Sequence, residues 1–294
     1  MNRLTFRSAR HEDTEPVRRM VRSIWEGHDY LLESIDRRIA EGGVYVAELE
    51  GRLVGVSRVR RLADDEWWLE GLRVDPEQWG RGLGRDLHEF TMGELRRLGR
   101  GVARWATADT NRSVSFASGS GFRKILILPF VGCKYSAEPS IENLAGVTAG
   151  QADLAVVDID EPGLVDFLLD GCREHYAGLL AREWVLPSAT PKRLHAVLAP
   201  RPILVRRGPA GFLAAAPLYA DDARPEHLYL SAVSGHPRAF DIPFIQALGR
   251  LIRYSHPGID LWTHVPLPLY KTFHEAGLES EVGFNWMYVY ELEL

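Results

Sequence analysis

The glycine-rich stretch at residues 74–87, VDPEQWGRGLGRDL, is where the sequence most clearly predicts chemistry. Gly80, Gly82 and Gly84 alternate with larger residues, between an apolar run and a helix-like run. Backbone N–H groups that lead into a helix N-terminus bind anions, because the orphan amides and the helix dipole both favour negative charge. We therefore expect this loop to hold a phosphate group.

Two common phosphate loops do not fit these residues. A Walker loop requires GxxxxGK[ST], and no Lys-Ser or Lys-Thr pair follows the glycines. A Rossmann loop requires GxGxxG, but Arg85 or Leu87 stands where its third glycine belongs. A Rossmann loop also belongs near the first strand of a parallel βαβ unit, whereas here a hairpin is predicted first.

Hydrophobic periodicity and turn residues predict the elements that must position this loop. A strand at residues 4–9 is followed by a helix at residues 11–26, capped by Asp13 or Thr14, and by a short helix at residues 34–42. A hairpin then turns at Glu50 and Gly51. The rest of this half is predicted as a strand stopped by Pro76, the loop, a helix from about Arg85 to Arg97, a strand at residues 102–109, a short helix and closing strands.

The second half of the chain shows a similar order of elements, which predicts one fold used twice. Residues 136–146, SAEPSIENLAG, are predicted as a linker, so we expect domains at residues 1–136 and 147–294. Aligned without gaps, Gly80, Gly82 and Gly84 fall opposite Ala239, Asp241 and Pro243. An aspartate repels phosphate and proline has no N–H to donate, so only the first half is expected to hold a phosphate.

The loop resembles the signature of the GNAT (Gcn5-related N-acetyltransferase) superfamily, [QR]-x-x-G-x-[GA]. Here it reads Trp79-Gly80-Arg81-Gly82-Leu83-Gly84, with Trp79 where glutamine or arginine is usual. The resemblance extends over roughly residues 4–131. It implies an α/β (α+β) fold, in which helices flank a mixed, mostly antiparallel central sheet, here repeated as a second, degenerate GNAT-like domain.

The resemblance implies acetyl-CoA as co-substrate, with its pyrophosphate at the glycine loop and its pantetheine arm along the preceding strand. Gly82 and Gly84 would let the backbone approach the pyrophosphate, and Gly71 is a candidate for a β-bulge. The implied cofactor-binding residues are Leu72, Arg73, Val74, Trp79, Gly80, Arg81, Gly82, Leu83, Gly84, Arg85 and Asn111.

Glu70 is the candidate general base for an amine acceptor. Period-two alternation places it on the same face as Leu72 and Val74 if the strand is regular, whereas a bulge at Gly71 would reverse its direction. Backbone N–H groups near Leu72 to Val74 are candidates to polarise the thioester carbonyl. The competing interpretation of Glu70 is an edge-strand carboxylate paired with an arginine.

The tyrosine that is the family's usual general acid is absent, because Ala117 stands at its position. Ser118 is adjacent, but a hydroxyl of high pKa is a poor proton donor. A thiol has a pKa of about 8.5, so its thiolate departs near neutral pH with little help. Tyr30 and His28 are the candidate replacements.

The residues between the first two helices, where the superfamily builds its acceptor pocket, include the substrate-binding candidates Trp25, Asp29 and Tyr30, with Glu70 on the strand. The competing interpretation is a helix-joining turn tucked into the core. Gly27, Asp29, Tyr30 and Leu31, together with residues 70–74, resemble the narrower branch of vertebrate-type histidine N-acetyltransferases. That resemblance implies a free amino acid such as histidine as acceptor, and a cation for its carboxylate: Arg58, Arg60 or Arg73.

Composition narrows the remaining classes of function. The 294 residues are 46% hydrophobic and carry a net charge of −5, which disfavours a nucleic-acid partner. No apolar run reaches the length of a membrane span, and the first residues lack the apolar core of a signal peptide, so we expect a cytoplasmic protein. We expect it to be a monomer or a homodimer. Cys133 and Cys172 have no CxxC partner, and no metal site is expected.

Two kinds of alternative stay open. A non-catalytic acyl-CoA sensor would explain Ala117 and the degenerate second half. Within the enzyme class, the acceptor could instead be an aminoglycoside, a polyamine or a protein N-terminus, and the acidic stretch ADDEWWLE would suit a polycation.

Overall fold

A computed structural model describes residues 4–117, 119–133, 144–221, 224–275 and 286–294. The strands are β1 (Leu4–Ser8), β2 (Val44–Leu49), β3 (Arg52–Ala63), β4 (Glu66–Val74), β5 (Val102–Ala108), β6 (Arg123–Cys133), β7 (Leu154–Val157), β8 (Ile203–Gly208), β9 (Gly211–Asp221), β10 (Arg224–Leu230), β11 (Ser234–Gly235), β12 (Asp260–His264) and β13 (Trp286–Glu293). The helices are α1 (Thr14–Val21), α2 (Leu31–Glu41), α3 (Leu83–Leu98), α4 (Val114–Ala117), α5 (Leu144–Val147), α6 (Leu164–His175), α7 (Pro191–Leu198), α8 (Ile242–Ser255) and α9 (Leu267–Glu275).

The chain forms two compact units whose segments alternate along the sequence. The first comprises the described residues up to Trp105, then Ser115–Arg123 and Tyr290–Leu294. The second comprises Ala106–Val114 and the described residues of Lys124–Val289. Residues 136–143 of the predicted linker lie outside the described residues, and Leu144 begins α5. The domain boundaries at 136 and 147 stay a prediction.

The sheet of the first unit joins β1, β2, β3 and β4 in antiparallel pairs and then adds β5 in parallel to β4. The predicted hairpin between β2 and β3 is confirmed. Glu50 and Gly51 at its turn have φ values of 53° and 80°, the left-handed conformation that tight hairpin turns require.

Helices cover both faces of this sheet. Val17 and Ile35, from α1 and α2, pack with Val46, whereas Leu87 of α3 packs with the next residue of β2, Ala47. Because side chains alternate along a strand, α1 and α2 lie on one face and α3 on the other.

Three of the predicted helix boundaries in the first unit were wrong, and one of them is the start of α2, which begins at Leu31 rather than at residue 34. The first helix ends at Val21, not near residue 26, and a 3₁₀ turn at Ile24–Gly27 follows it. Trp25 in this turn has a φ of 48°, which a continuing α-helix cannot include. The helix after the glycine loop begins at Leu83 rather than near Arg85.

The sheet of the second unit repeats this order. Strands β7, β8, β9 and β10 pair antiparallel, and β12 then adds in parallel to β10, as β5 does to β4. Strand β6 completes the unit by pairing antiparallel with β12. The predicted fold class is therefore confirmed: a mixed, mostly antiparallel sheet flanked by helices, used twice.

The residues that end β13 belong to the first unit. Glu291 accepts a hydrogen bond from Arg104 Nε at 2.8 Å, and the ring of Tyr290 stacks on Trp105 with centroids 4.7 Å apart. The backbone N–H of Leu294 donates to the carbonyl of Gly101. Residues nearly 200 positions apart in sequence thus form one packed corner of the first unit.

Candidate active site

The glycine loop is shaped by a turn followed by two left-handed glycines. The Asp75 carboxylate accepts a hydrogen bond from the Glu77 N–H at 3.1 Å and caps the 3₁₀ turn Pro76–Gln78. Gly80 and Gly82 then have φ values of 81° and 84°. Gly82 is the N-cap of α3 and offers no side-chain acceptor, so the first N–H groups of the helix remain available to an anion.

The glycines of the loop are required for two different reasons. A Cβ at Gly80 or Gly82 would meet nothing within 4 Å, so positive φ is the constraint at both positions. A Cβ at Gly84 would lie 3.2 Å from Phe116 Cζ, so this glycine makes room for the side chain of α4. The sequence predicted that Gly84 makes room for a pyrophosphate, and packing on Phe116 is the role the structure shows.

The remaining cofactor candidates divide between the loop and its surroundings. Trp79 is half exposed and its indole N–H donates to the carbonyl of Val74 at 2.9 Å. Arg81 and Arg85 are exposed, and Arg81 Nη1 donates to Gln78 Oε1 at 3.0 Å. Asn111 lies in the second unit, where its amide donates to Thr107 Oγ1 at 3.0 Å.

Strand β4 contains the bulge that Gly71 was expected to mark. Val56 pairs with Arg73 and Arg58 pairs with Glu70, so one residue of β3 faces Gly71 and Leu72 together. Gly71 has a φ of 69°, and a Cβ there would lie 3.6 Å from the hydroxyl of Tyr30. The bulge leaves backbone groups outside the regular ladder at this point of the strand.

The bulge reverses the direction that a regular strand would give Glu70. Leu72 and Val74 pack with α3, whereas the carboxylate of Glu70 pairs with Arg38 of α2 on the opposite face. Of the two directions that the sequence left open for Glu70, the structure therefore shows the one expected for a bulge at Gly71, not the one expected for a regular strand.

The pairing of β4 with β5 covers only part of β4 in the described residues. The parallel register joins Glu66, Trp67 and Trp68 to β5 and stops before Glu70. Among the described residues, the second half of β4 therefore has no pairing partner on the β5 side, and an extended chain with amide groups can pair there as an added strand.

Glu70 is held by two arginines through one oxygen. Arg38 Nη1 and Arg58 Nη1 both donate to Glu70 Oε1, the latter at 3.0 Å, and Arg58 Nη2 also donates to Glu41 at 2.7 Å. Among the described residues, Glu70 Oε2 has no hydrogen-bond donor. The structure therefore shows Glu70 as a carboxylate paired with arginines, which was the competing interpretation from the sequence. Its second oxygen has no hydrogen-bond donor among the described residues.

Asp29, Arg73 and two aromatic rings form the other side of this cluster. Arg73 Nε donates to Asp29 Oδ2 at 2.6 Å, and the side chain of Asp29 is fully buried. The guanidinium lies 4.2 Å from the centroid of Trp25 and 5.3 Å from that of Tyr30. Arg73 Nη1 donates to the carbonyl of Leu72, while Nη2 has no partner among the described residues.

The two candidate proton donors differ in their surroundings. Tyr30 lies beside Gly71 and under the guanidinium of Arg38, and burial raises the pKa of its hydroxyl. His28 is exposed at the end of the 3₁₀ turn, and its imidazole makes no hydrogen bond to the described residues. Ala117 is buried at the end of α4, and Ser118 lies outside the described residues. Tyr30 is therefore the better placed donor.

Sequence reasoning missed Arg38. It follows Tyr30 by eight residues on α2, about two helical turns, so the two side chains share a face. Its Nε also donates to Ser34 Oγ at 2.9 Å, one turn away. The eight-residue spacing from Tyr30 could have indicated that Arg38 belongs to the site. An arginine on a surface helix, however, is usually exposed to solvent.

In the second unit, the helix that corresponds to α3 is capped by a carboxylate. Asp241 is the N-cap of α8, as Gly82 is of α3, which agrees with the ungapped alignment of the two halves. Asp241 Oδ1 accepts from the Phe244 N–H at 3.1 Å and from Arg206 Nη2 at 2.9 Å. This helix N-terminus is therefore satisfied by the protein itself, and an additional phosphate would be repelled.

Part of the chain matches a known protein family. Residues 8–122 match the family model described as Acetyltransferase (GNAT) family. Residues 8–122, less than half of the chain, are therefore similar to a GNAT acetyltransferase domain. No curated protein matches the sequence.

Solved structures of low sequence identity share the fold over the whole chain. A GCN5-related N-acetyltransferase from Sphaerobacter thermophilus is 11% identical, with 99% of this chain and 95% of that one covered and a TM-score of 0.62. A tandem GNAT protein from the clavulanic acid biosynthesis pathway is 14% identical, with 99% and 98% covered and a TM-score of 0.59. A GCN5-related glucosamine N-acetyltransferase region of a fungal β-N-acetylglucosaminidase is 13% identical, with 99% and 38% covered and a TM-score of 0.65.

No helix in the described ranges is long and apolar enough to cross a membrane. Nor do the described residues gather three or more His, Cys, Asp or Glu side chains in a way that could hold a metal ion.

Proposed function

We propose that this protein is an acetyl-CoA-dependent N-acetyltransferase that acts on the primary amine of a small molecule carrying a carboxylate, such as a free amino acid. The observation that carries the proposal is the pair of unused groups on the α2 face of β4. Glu70 Oε2 and Arg73 Nη2 lack partners among the described residues, and the Gly71 bulge lies between them in sequence. A free amino acid offers its amine to Glu70 Oε2 and its carboxylate to Arg73 Nη2.

The loop and the β5 side of the second half of β4 fit acetyl-CoA. The uncapped N-terminus of α3 and the exposed Arg81 and Arg85 suit a pyrophosphate, and the edge of β4 beyond Trp68 suits a chain of amides. Bound there, the co-substrate supplies an acetyl group already activated as a thioester.

The side chains have distinct roles in the proposed reaction. Arg38 and Arg58 fix Glu70 Oε1, so Oε2 faces the amine and takes its proton as the new C–N bond forms. Backbone N–H groups at Leu72 to Val74 polarise the thioester carbonyl. The C–S bond breaks, and the departing thiolate takes a proton from Tyr30 or from solvent.

Arg73 is the cation best suited to the carboxylate of the acceptor. Arg58 is already shared between Glu70 and Glu41, and Arg60 is exposed on β3. Arg73 is held by Asp29 and by two aromatic rings, so it meets a ligand with little loss of side-chain freedom.

The test is thiol release from acetyl-CoA with a panel of acceptors: histidine and other free amino acids, their methyl esters, glucosamine, aminoglycosides, polyamines and peptides. We expect turnover with one or a few free amino acids, little turnover with their esters, and a loss of about 10²-fold or more in Glu70→Gln. Arg60→Gln, which removes an exposed arginine of β3 outside the cluster, should retain activity.

Other outcomes contradict parts of the proposal. Equal rates with a free amino acid and its methyl ester would contradict the role proposed for Arg73. A preference for polyamines would show that the acceptor is a polycation. If acetyl-CoA binds but no acceptor is turned over, the protein is an acyl-CoA sensor.

A further inference from the structure

Two arginines of the second unit lie over the ring of one buried tyrosine. Arg201 Cζ is 4.7 Å from the ring centroid of Tyr219, and Arg182 Cζ is 5.4 Å from it. Arg182 Nη2 also donates to the hydroxyl of Tyr219 at 3.1 Å. Both guanidiniums therefore contact the same side chain, which packs in the core with residues of α6 and α7.

Neither guanidinium has a carboxylate partner among the described residues. Arg182 Nε is buried without a hydrogen-bond acceptor, and Arg201 Nη1 donates to the backbone carbonyl of Ala220. Arg206, by contrast, is buried in the same unit and pairs with Asp241. Two guanidiniums without a carboxylate partner attract an anion that contacts both of them.

The backbone holds both arginines in fixed places. Arg182 exchanges two hydrogen bonds with Val185 across a tight turn, in which Glu183 has a φ of 55°. Arg201 lies two residues before β8 and is fixed by its bond to Ala220. Side chains positioned in this way lose little freedom when they bind a ligand.

Two neighbouring groups report on the local charge. The pKa of His256 is lowered, mainly by burial and further by the charge of Arg201. The carboxylate of Glu183 accepts a hydrogen bond from the hydroxyl of Tyr229, whose ring is 6.1 Å from that of Tyr219. Glu183 follows Arg182 directly in the chain, and we take its carboxylate as the negative charge with which a bound anion would compete.

We propose that Arg182 and Arg201 form an anion-binding site in the second unit that takes the phosphate group of a small molecule. Guanidinium groups bind phosphate through two parallel N–H···O bonds, and two uncompensated positive charges match a dianionic phosphate. The site does not depend on the proposed acetyl transfer. In the second half of the chain, Asp241 already caps the N-terminus of α8. The proposed site would give this half a ligand-binding role.

The experiment is calorimetric titration of the full chain with inorganic phosphate at constant ionic strength. We expect Arg182→Gln and Arg201→Gln each to weaken phosphate binding about tenfold. Arg173→Gln, an exposed arginine of α6, should change it less than twofold, whereas Arg81→Gln reports any phosphate that binds at the glycine loop of the first unit. Glu183→Gln should strengthen it several-fold, because it removes the competing charge.

The outcomes separate the proposal from its alternatives. Circular dichroism establishes which variants fold, and Arg201→Lys, which keeps the charge but loses the planar fork, should bind with intermediate affinity. If phosphate binding is absent in the wild type, or unchanged in the folded Arg182→Gln and Arg201→Gln variants, the proposal is wrong. If Arg81→Gln alone loses binding, phosphate occupies the glycine loop and the proposal is equally wrong.

Discussion

Asp29 accepts a hydrogen bond from Arg73 Nε at 2.6 Å with one carboxylate oxygen and from the Leu31 N–H at 2.9 Å with the other. One fully buried side chain therefore joins the arginine of β4 to the first turn of α2. Because α2 also carries Arg38, which holds Glu70, the position of Asp29 affects both ends of the proposed acceptor site.

The first prediction concerns this buried pair. Asp29→Asn keeps an acceptor for the Leu31 N–H but loses the charge that faces Arg73, so we expect it to lower the free energy of unfolding by about 2 kcal/mol. Asp29→Ala loses both interactions and should cost about 3–5 kcal/mol, because Arg73 is left largely buried without a counter-charge. Urea unfolding measures both values.

Asp36→Asn is the matched control on the same helix. Asp36 is half exposed and lies 3.5 Å from Arg18, so its loss should change stability by less than about 0.5 kcal/mol. In the folded Asp29→Asn variant, the KM for the acceptor should rise while the affinity for acetyl-CoA stays unchanged. A change confined to acetyl-CoA would show that Arg73 serves the cofactor instead.

The second prediction concerns the N-cap of α3. Gly82→Asp places in the first unit the residue that caps α8 in the second, and its carboxylate should abolish acetyl-CoA binding by repulsion and by occupying the amides. Gly82→Ala has room for its Cβ but must adopt a positive φ, so it should cost about 1–2 kcal/mol of stability with a smaller loss of affinity. Fluorescence titration with acetyl-CoA distinguishes the two variants, and normal affinity in Gly82→Asp would exclude the loop as the phosphate site.

The sequence alone predicted the parts of the fold that depend on local signals. The hairpin at Glu50 and Gly51 follows from turn chemistry, and the glycine loop before α3 follows from its spacing. The repeat was predicted from the order of elements, and the alignment of Gly82 with Asp241 located the position at which the two halves differ most.

What the sequence could not predict depends on non-local packing. The direction of Glu70 is reversed by one extra residue at Gly71, and a glycine in a strand does not by itself decide between a bulge and a regular pair. Arg38 reaches Glu70 only because α2 crosses that face of β4. The residues that end β13 join the first unit through contacts with Arg104 and Trp105, which no periodicity records.

The third prediction concerns Tyr30 as proton donor. Burial raises the pKa of Tyr30 above its ordinary value of 10, so the hydroxyl keeps its proton throughout the neutral range and up to at least about pH 10. Tyr30→Phe should therefore lower kcat by about 10²-fold, by the same factor from pH 7 to pH 9, with little change in acetyl-CoA affinity.

The same shift fixes the sign of a pH effect on stability. A raised pKa for Tyr30 contributes stability that is fully present below pH 10 and is lost as pH rises through the pKa of the folded state. Wild type should thus lose stability above pH 10 faster than Tyr30→Phe does. Tyr45→Phe removes another buried hydroxyl of the first unit and should leave kcat unchanged. A pH-dependent deficit of Tyr30→Phe below pH 9 would contradict this role.

The fourth prediction concerns the end of β13. Arg104 lies between Glu66 and Glu291, at 2.6 Å and 2.8 Å, and Tyr290 stacks on Trp105. Tyr290→Ala should cost about 3–5 kcal/mol, because it leaves a cavity beside Trp105. Glu291→Gln should cost about 1–3 kcal/mol, because Arg104 is buried and keeps only one carboxylate.

These substitutions lie far in sequence from the glycine loop and the acceptor cluster, yet they affect the unit that contains both. Bound acetyl-CoA should protect the first unit from thermal unfolding up to a certain temperature. If the first unit unfolds cooperatively, Tyr290→Ala should lower that temperature and the melting temperature of the unit by the same amount. Glu293→Gln, an exposed carboxylate on the same strand, is the control and should change neither. Unchanged protection of the first unit in Tyr290→Ala would mean that the end of β13 is dispensable for its fold.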